Sequence, residues 1–164
     1  MTMIETSDTA GVIAPPPLIA LAALLLGLAL DWLMPAYVLT VLLTFDARIV
    51  LGVVLVAAGC ALPISARNTF VRIGTNVNPF KPARALATEG VYAYVRNPMY
   101  VGLALIVAGL GIALASDWTL VMLVPTMLLI HFGVVAREER YLEAKFGDAY
   151  RGYKAQVPRY GWPG

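Results

Sequence analysis

Two stretches of this sequence concentrate the side chains that do chemistry. The first, EGVYAYVRNPMYVG, runs from Glu89 to Gly102 and places Arg96 immediately before Asn97 and Pro98. Asparagine followed by proline marks a helix start, an N-cap and then a first-turn residue with no N–H to lose. The unpaired backbone N–H groups and positive dipole end of that helix lie beside the guanidinium, a combination suited to receiving a carboxylate or a phosphate. The same residues suit a plainer role, in which Arg96 fixes the helix to lipid headgroups and Tyr92, Tyr94 and Tyr100 form an aromatic belt.

The second stretch, HFGVVAREERYLEAKFG, runs from His131 to Gly147. At 3.6 residues per turn His131 and Glu138 share one helix face roughly 10 Å apart, and Glu139 points about 100° away. A carboxylate is the usual partner of a ribose diol, so either glutamate suits the sugar of a nucleoside cofactor. Here too a structural role is open: adjacent glutamates beyond an apolar helix form a solvated face with Arg137, Arg140 and Lys145, and an intramembrane histidine is either a site residue or a satisfied polar group between helices. The tail DAYRGYKAQVPRYGWPG adds Tyr150, Tyr153, Tyr160 and Trp162 among basic residues. Such a segment belongs in the headgroup zone, where it either closes over a site or serves as an interfacial anchor.

The elements that must position these residues are membrane helices. Hydrophobic residues make up 60% of the 164 residues and charged residues 13%, against roughly 45–50% and about 25% in soluble domains. Mean hydropathy is +0.76, so most of the surface must face lipid. Four apolar runs, approximately 17–34, 47–66, 98–116 and 117–137, approach the ~20 residues needed to cross about 30 Å of hydrocarbon. The expected fold is all-α: one integral membrane bundle of four transmembrane helices over residues 1–164, with a cytoplasmic C-terminal helical extension. Pro63 and Pro125 are expected to bend the second and fourth helices, and Gly52, Gly59, Gly102, Gly109 and Gly111 to let helices approach closely. The N-terminus, with Glu5 and Asp8 and no basic run, does not read as a cleaved signal peptide.

Arg67, Arg72, Lys81, Arg84 and Arg96 lie between the second and third runs, and Arg137, Arg140, Lys145, Arg151, Lys154 and Arg159 follow the fourth; elsewhere there is only Arg48. By the positive-inside rule the middle loop and the tail are cytoplasmic, and four spans place the N-terminus there too. With Cys60 the only cysteine and His131 the only histidine, an intrachain disulfide and a Cys/His zinc cluster are excluded, and no metal is expected. The small net charge of +2, without a basic stripe, argues against a nucleic-acid partner.

The order GVYAYVRNPMYVG, a helix ending in His131, REERYLEAKFG, then Tyr150, Tyr153 and VPR resembles the isoprenylcysteine carboxyl methyltransferase and phospholipid methyltransferase superfamily, over roughly residues 78–164. The resemblance implies a bacterial-type membrane methyltransferase of the inner membrane that binds S-adenosylmethionine at the cytoplasmic end of its last helices. It assigns the cofactor to Gly90 and Tyr92, to the helix start at Arg96, Asn97, Pro98 and Tyr100, and to His131, Glu138 and Glu139, with Arg96 and His131 as catalytic candidates. The acceptor it implies is a lipophilic small molecule, a lipid or a lipidated substrate. The carboxyl methyltransferase branch usually has histidine where this chain has Asn97, and RNPMY is closer to broad bacterial members and the phospholipid branch. Two other readings are a sterol-reductase-like enzyme using NADPH, which needs more spans than this chain supplies, and a non-catalytic membrane subunit.

Overall fold

The computed structural model describes residues 9–78 and 80–161, so Glu5, Asp8 and Trp162 lie outside the described residues. Regular structure among the described residues is entirely helical. Helix α1 (Pro16–Leu33) is followed by a short α2 (Val38–Leu42), a long α3 (Phe45–Arg72), α4 (Pro98–Ala113), α5 (Asp117–Ile130), α6 (Ala136–Phe146) and α7 (Asp148–Gln156). A wide, π-type turn at His131–Val135 joins α5 to α6, and a 3-10 turn occupies Gly90–Ala93.

Local chemistry sets most of these ends. Pro16 begins α1, where a missing N–H costs nothing. Thr44 and Ser116 cap α3 and α5, accepting from the backbone N–H of Ala47 at 3.3 Å and of Thr119 at 3.2 Å. Asp46 and Asp117 stand in the first turns, where the helix dipole favours negative charge. Asn97 occupies the N-cap position of α4, but its side chain makes no cap there; its amide reaches the C-terminal tail instead.

The bundle inverts the usual rule of burial. Large apolar side chains such as Leu18, Leu25, Val53, Val124 and Leu128 are exposed, whereas the buried helix positions are largely glycine, alanine and threonine. Helices α3 and α4 meet through glycines seven residues apart on each, a spacing that returns to nearly the same face. A Cβ on Gly52 would lie 2.6 Å from the carbonyl oxygen of Gly109, and one on Gly59 would lie 2.7 Å from that of Gly102. Gly27 of α1 packs as closely on Thr119 of α5. Three helices, Pro16–Leu33, Phe45–Arg72 and the continuous Asp117–Phe146, are long and apolar enough to cross a membrane.

The remaining apolar helix, α4, is shorter than expected, ending at Ala113 rather than near 116. Ala115, with φ of +55°, turns the chain back into α5 in the left-handed region. The second helix runs beyond 66 to Arg72, and both Pro63 and Pro125 lie inside uninterrupted helices. The alternation of α1, α3, α4 and α5 gathers the segment before α1, the 73–97 loop and α6–α7 at one polar end, with α2 and the 114–116 turn at the other.

Candidate active site

At the polar end, the wide turn decides which way α6 presents its carboxylates. Five residues wound more loosely than 3.6 per turn rotate everything after them, so the face shared by His131 and Glu138 in a regular helix is split. His131 packs edge-on against Phe132 and its Nδ1 pairs with the Tyr160 hydroxyl at 2.8 Å. It does not line the cavity described below. Glu138, on the far side of the turn, accepts from the Tyr100 hydroxyl on both oxygens, at 2.8 and 2.9 Å.

Glu139 is committed differently. Its Oε1 accepts from Arg96 at 2.7 Å and from Arg159 Nε at 2.9 Å, while Oε2 takes a second Arg159 bond at 2.6 Å. The Arg96–Glu139 pair is deeply buried, with 9% and 8% of the two side chains exposed. Arg96 also donates to the Val157 carbonyl oxygen at 2.9 Å, and its backbone N–H donates to that of Pro158 at 3.0 Å. The Asn97 amide adds a bond to the Arg159 carbonyl oxygen at 3.2 Å. The start of α4 therefore reads the VPR segment of the tail, and Arg96, which also lines the cavity described below, latches that segment down.

Above the latch, α7 closes the end of the bundle. Tyr150 is almost wholly buried, and the Tyr153 hydroxyl donates to the Tyr92 carbonyl oxygen at 2.7 Å. Tyr92 stacks on Phe70, with ring centroids 5.1 Å apart and planes 5° from parallel. Burial pushes the Tyr150 phenol up to about 12, and raises those of Tyr92 and Tyr153 further. These phenols stay neutral at physiological pH, Tyr153 as a donor and Tyr150 as an acceptor from Arg96 at 3.4 Å.

Between latch, α6 and the 73–97 loop lies a half-open cavity of about 130 Å³. Of the residues singled out from the sequence, Tyr92, Arg96, Asn97 and Pro98 line it, as do Tyr100, Glu138 and Glu139. Gly90 does not; with φ of +60° it starts the 3-10 turn against Thr69, behind Tyr92. The outer wall, drawn from residues 75–78 and 81–87, has no signal of its own in the sequence. It is pinned by Thr75 Oγ1, which accepts from the N–H groups of Arg84 at 2.9 Å and Ala85 at 3.2 Å, and by Tyr141, whose hydroxyl accepts from Ala83 N–H at 3.0 Å. Lys81 of this wall also faces the cavity. Arg159 was missed as well: VPR was visible, but no spacing rule says that its arginine returns twenty residues to a glutamate.

The chain's long apolar helices are those of a membrane protein, and comparison with known proteins supplies its family. The family model for phospholipid methyltransferases matches residues 47–149, and the chain belongs to that family. It is similar to the protein-S-isoprenylcysteine O-methyltransferase of Schizosaccharomyces pombe, 34% identical over 73 residues, which cover 44% of this chain and 31% of that protein. It is also similar to an uncharacterized protein of Haemophilus influenzae, 40% identical over 62 residues, which cover 38% of this chain and 98% of that protein. The match thus spans about a third of the yeast methyltransferase's length. No solved structure matches significantly.

Proposed function

We propose that the chain is a methyltransferase of the bacterial inner membrane that takes its methyl group from S-adenosylmethionine and places it on a lipophilic acceptor. In this reading α1, α3, α4 and α5 all span the bilayer, α4 with help from the flanking polar end, and that end faces the cytoplasm as the arginine and lysine distribution requires. The observation that carries it is the division of labour between adjacent carboxylates. Glu139 is saturated by two arginines, while Glu138 faces the cavity with a neutral phenol as its donor.

The cavity fits the donor by the chemistry of its lining. Glu138 would hold the ribose diol, Tyr92 and its stacked partner Phe70 offer an apolar wall to the purine, and Lys81 would meet the carboxylate of the amino-acid end. The bound cofactor supplies a methyl group on a sulfonium, which leaves as a neutral thioether. The protein's part is to align donor and acceptor and to keep water out, so the latch and α7 matter as a cover. A carboxylate acceptor needs no base, whereas an amine or thiol must lose a proton. Arg96 and His131 act as positioning residues, the first through Glu139 and the tail, the second through Tyr160. The family match supports this reading over a nicotinamide-dependent reductase.

Calorimetry of the purified protein with S-adenosylmethionine, its demethylated product and NADPH tests the proposal. Binding of the first two and not the third is expected. Glu138→Gln is expected to weaken donor binding roughly tenfold to a hundredfold, the loss of one charge-assisted bond. Unchanged affinity in that variant would remove Glu138 from the donor site.

A further inference from the structure

The segment ahead of α1 is built into the site. Ala10 lines the cavity, and Val12 is buried in one apolar cluster with Tyr100, Ile130, Val134 and Val135. The Ile13 N–H donates to the Gly133 carbonyl oxygen at 3.3 Å, and Arg137 donates to that of Gly11 at 2.8 Å. Gly133 belongs to the wide turn, where the regular helical ladder is interrupted and a main-chain carbonyl can take an outside donor. A side chain at that position would run into Ile13. Tyr100 ties this segment to the chemistry, since it shares the Val12 cluster and donates to Glu138.

From this arrangement we infer that residues 10–13 form a displaceable wall on the lipid side of the cavity, and that this wall decides which apolar acceptors enter it. The inference rests on the proposed methyltransferase reading. The wall is on the lipid side because its seat is made where apolar α5 ends, at Ile130, and where α4 begins, at Tyr100. It is displaceable because residues 10–13 lie outside any helix and are seated only by the packing of Ala10, Val12 and Ile13 and by hydrogen bonds at Gly11 and Ile13, with Gly11 at φ of +58°. Withdrawn, it leaves a slot lined by Ile130, Val134, Val135 and the Tyr100 ring, which suits an alkyl or prenyl chain and rejects a polar one.

The test needs no knowledge of the natural acceptor. In Cys60→Ser protein reconstituted into phosphatidylcholine vesicles, Met99→Cys places a thiol on the cavity wall. Its reaction is followed with dodecylmaleimide, delivered from the bilayer, and with a charged, water-soluble maleimide. Gly133→Leu, which leaves no room for Ile13, is expected to speed the dodecylmaleimide reaction roughly tenfold while barely changing the water-soluble one; Ala10→Trp, which keeps the docking contacts and fills the opening, is expected to slow the former by a similar factor. Ala10→Trp decides the matter alone if Gly133→Leu does not fold. An unchanged dodecylmaleimide rate in either folded variant, or equal acceleration of both reagents, would overturn the wall. Donor calorimetry on the unmutated protein is a separate arm: its failure would sink the methyltransferase reading, and its success beside unchanged labelling would sink the wall alone.

Discussion

At the end of the bundle away from the cavity, Asp31 accepts from the Ser116 hydroxyl and from Trp118 N–H at 3.4 Å, and Asp117 accepts from the N–H groups of Val38 and Leu39, each at 3.0 Å. Both aspartates are absorbed in tying helix ends together, and neither lines the cavity. At the polar end the acids come as a pair with separate tasks. Glu139 does what the aspartates do, joining Arg96 of the α4 start to Arg159 of the tail, and Glu138 is left facing open space. The lesson is that acidic residues mark a site only where structure has already been secured by a neighbour. Two adjacent glutamates achieve this because successive helix positions point about 100° apart, so that both border the cavity but only Glu139 meets the two arginines.

The sharpest way to break that contrast is at the latch. Glu139→Gln leaves Arg96 buried without its counter-charge, a change that typically costs about 3–5 kcal/mol. Arg96→Lys keeps the charge but loses the planar fork that reaches Glu139 and the Val157 carbonyl together, so it is expected to behave almost like Arg96→Ala. Both variants are expected to lower the midpoint of thermal unfolding in detergent and to raise hydrogen exchange over residues 148–161. Normal exchange in that segment would show that the tail is held by something other than the latch.

A smaller effect is expected at Tyr100→Phe, which keeps the ring in the Val12 cluster and removes the hydroxyl that orients Glu138. Donor affinity is expected to fall roughly tenfold, about 1.4 kcal/mol, with exchange over the tail unchanged. Loss of both together would mean that the cavity and the latch are one unit, and the comparison between the two glutamates would fail.

Much of this arrangement is legible in the sequence because it follows local rules. Asn97-Pro98 and Ser116 announce helix starts, apolar runs announce helices, and glycines at sevenfold spacing announce close packing. RNPMY and the paired glutamates were singled out together, and the structure brings them together. His131 was grouped with Glu138 because counting assumes constant rotation per residue, which the wide turn at 131–135 violates. Arg96 was read as an anion receptor because nothing local says that Glu139 reaches it first. The cavity wall around Ala83 and the 10–13 segment are docked by bonds between residues far apart in sequence, Ala83 to Tyr141 and Arg137 to Gly11, and such bonds leave no periodic trace.

The mildest prediction concerns the end away from the cavity, and it tests whether acids there are purely structural. The Ser116 hydroxyl serves three groups: it accepts from Thr119 N–H, and it is shared with the Asp31 carboxylate and with Thr119 Oγ1 at 2.6 Å. Ser116→Ala removes an N-cap, which alone typically costs about 1 kcal/mol within a range of roughly 0.5–2. It also takes a donor from Asp31 in a part-buried setting, and an under-satisfied polar group adds to the cost, so the upper end of that range is expected. Donor affinity measured by calorimetry is expected to remain that of the unmutated protein, because α5 carries no part of the cavity. A stability loss with intact donor binding would confirm that the two ends are energetically separate. A fall in donor affinity comparable to that of Tyr100→Phe would instead show that strain at the α4–α5 turn is transmitted along α4 to Tyr100, and the distinction between a structural end and a chemical end would have to be given up.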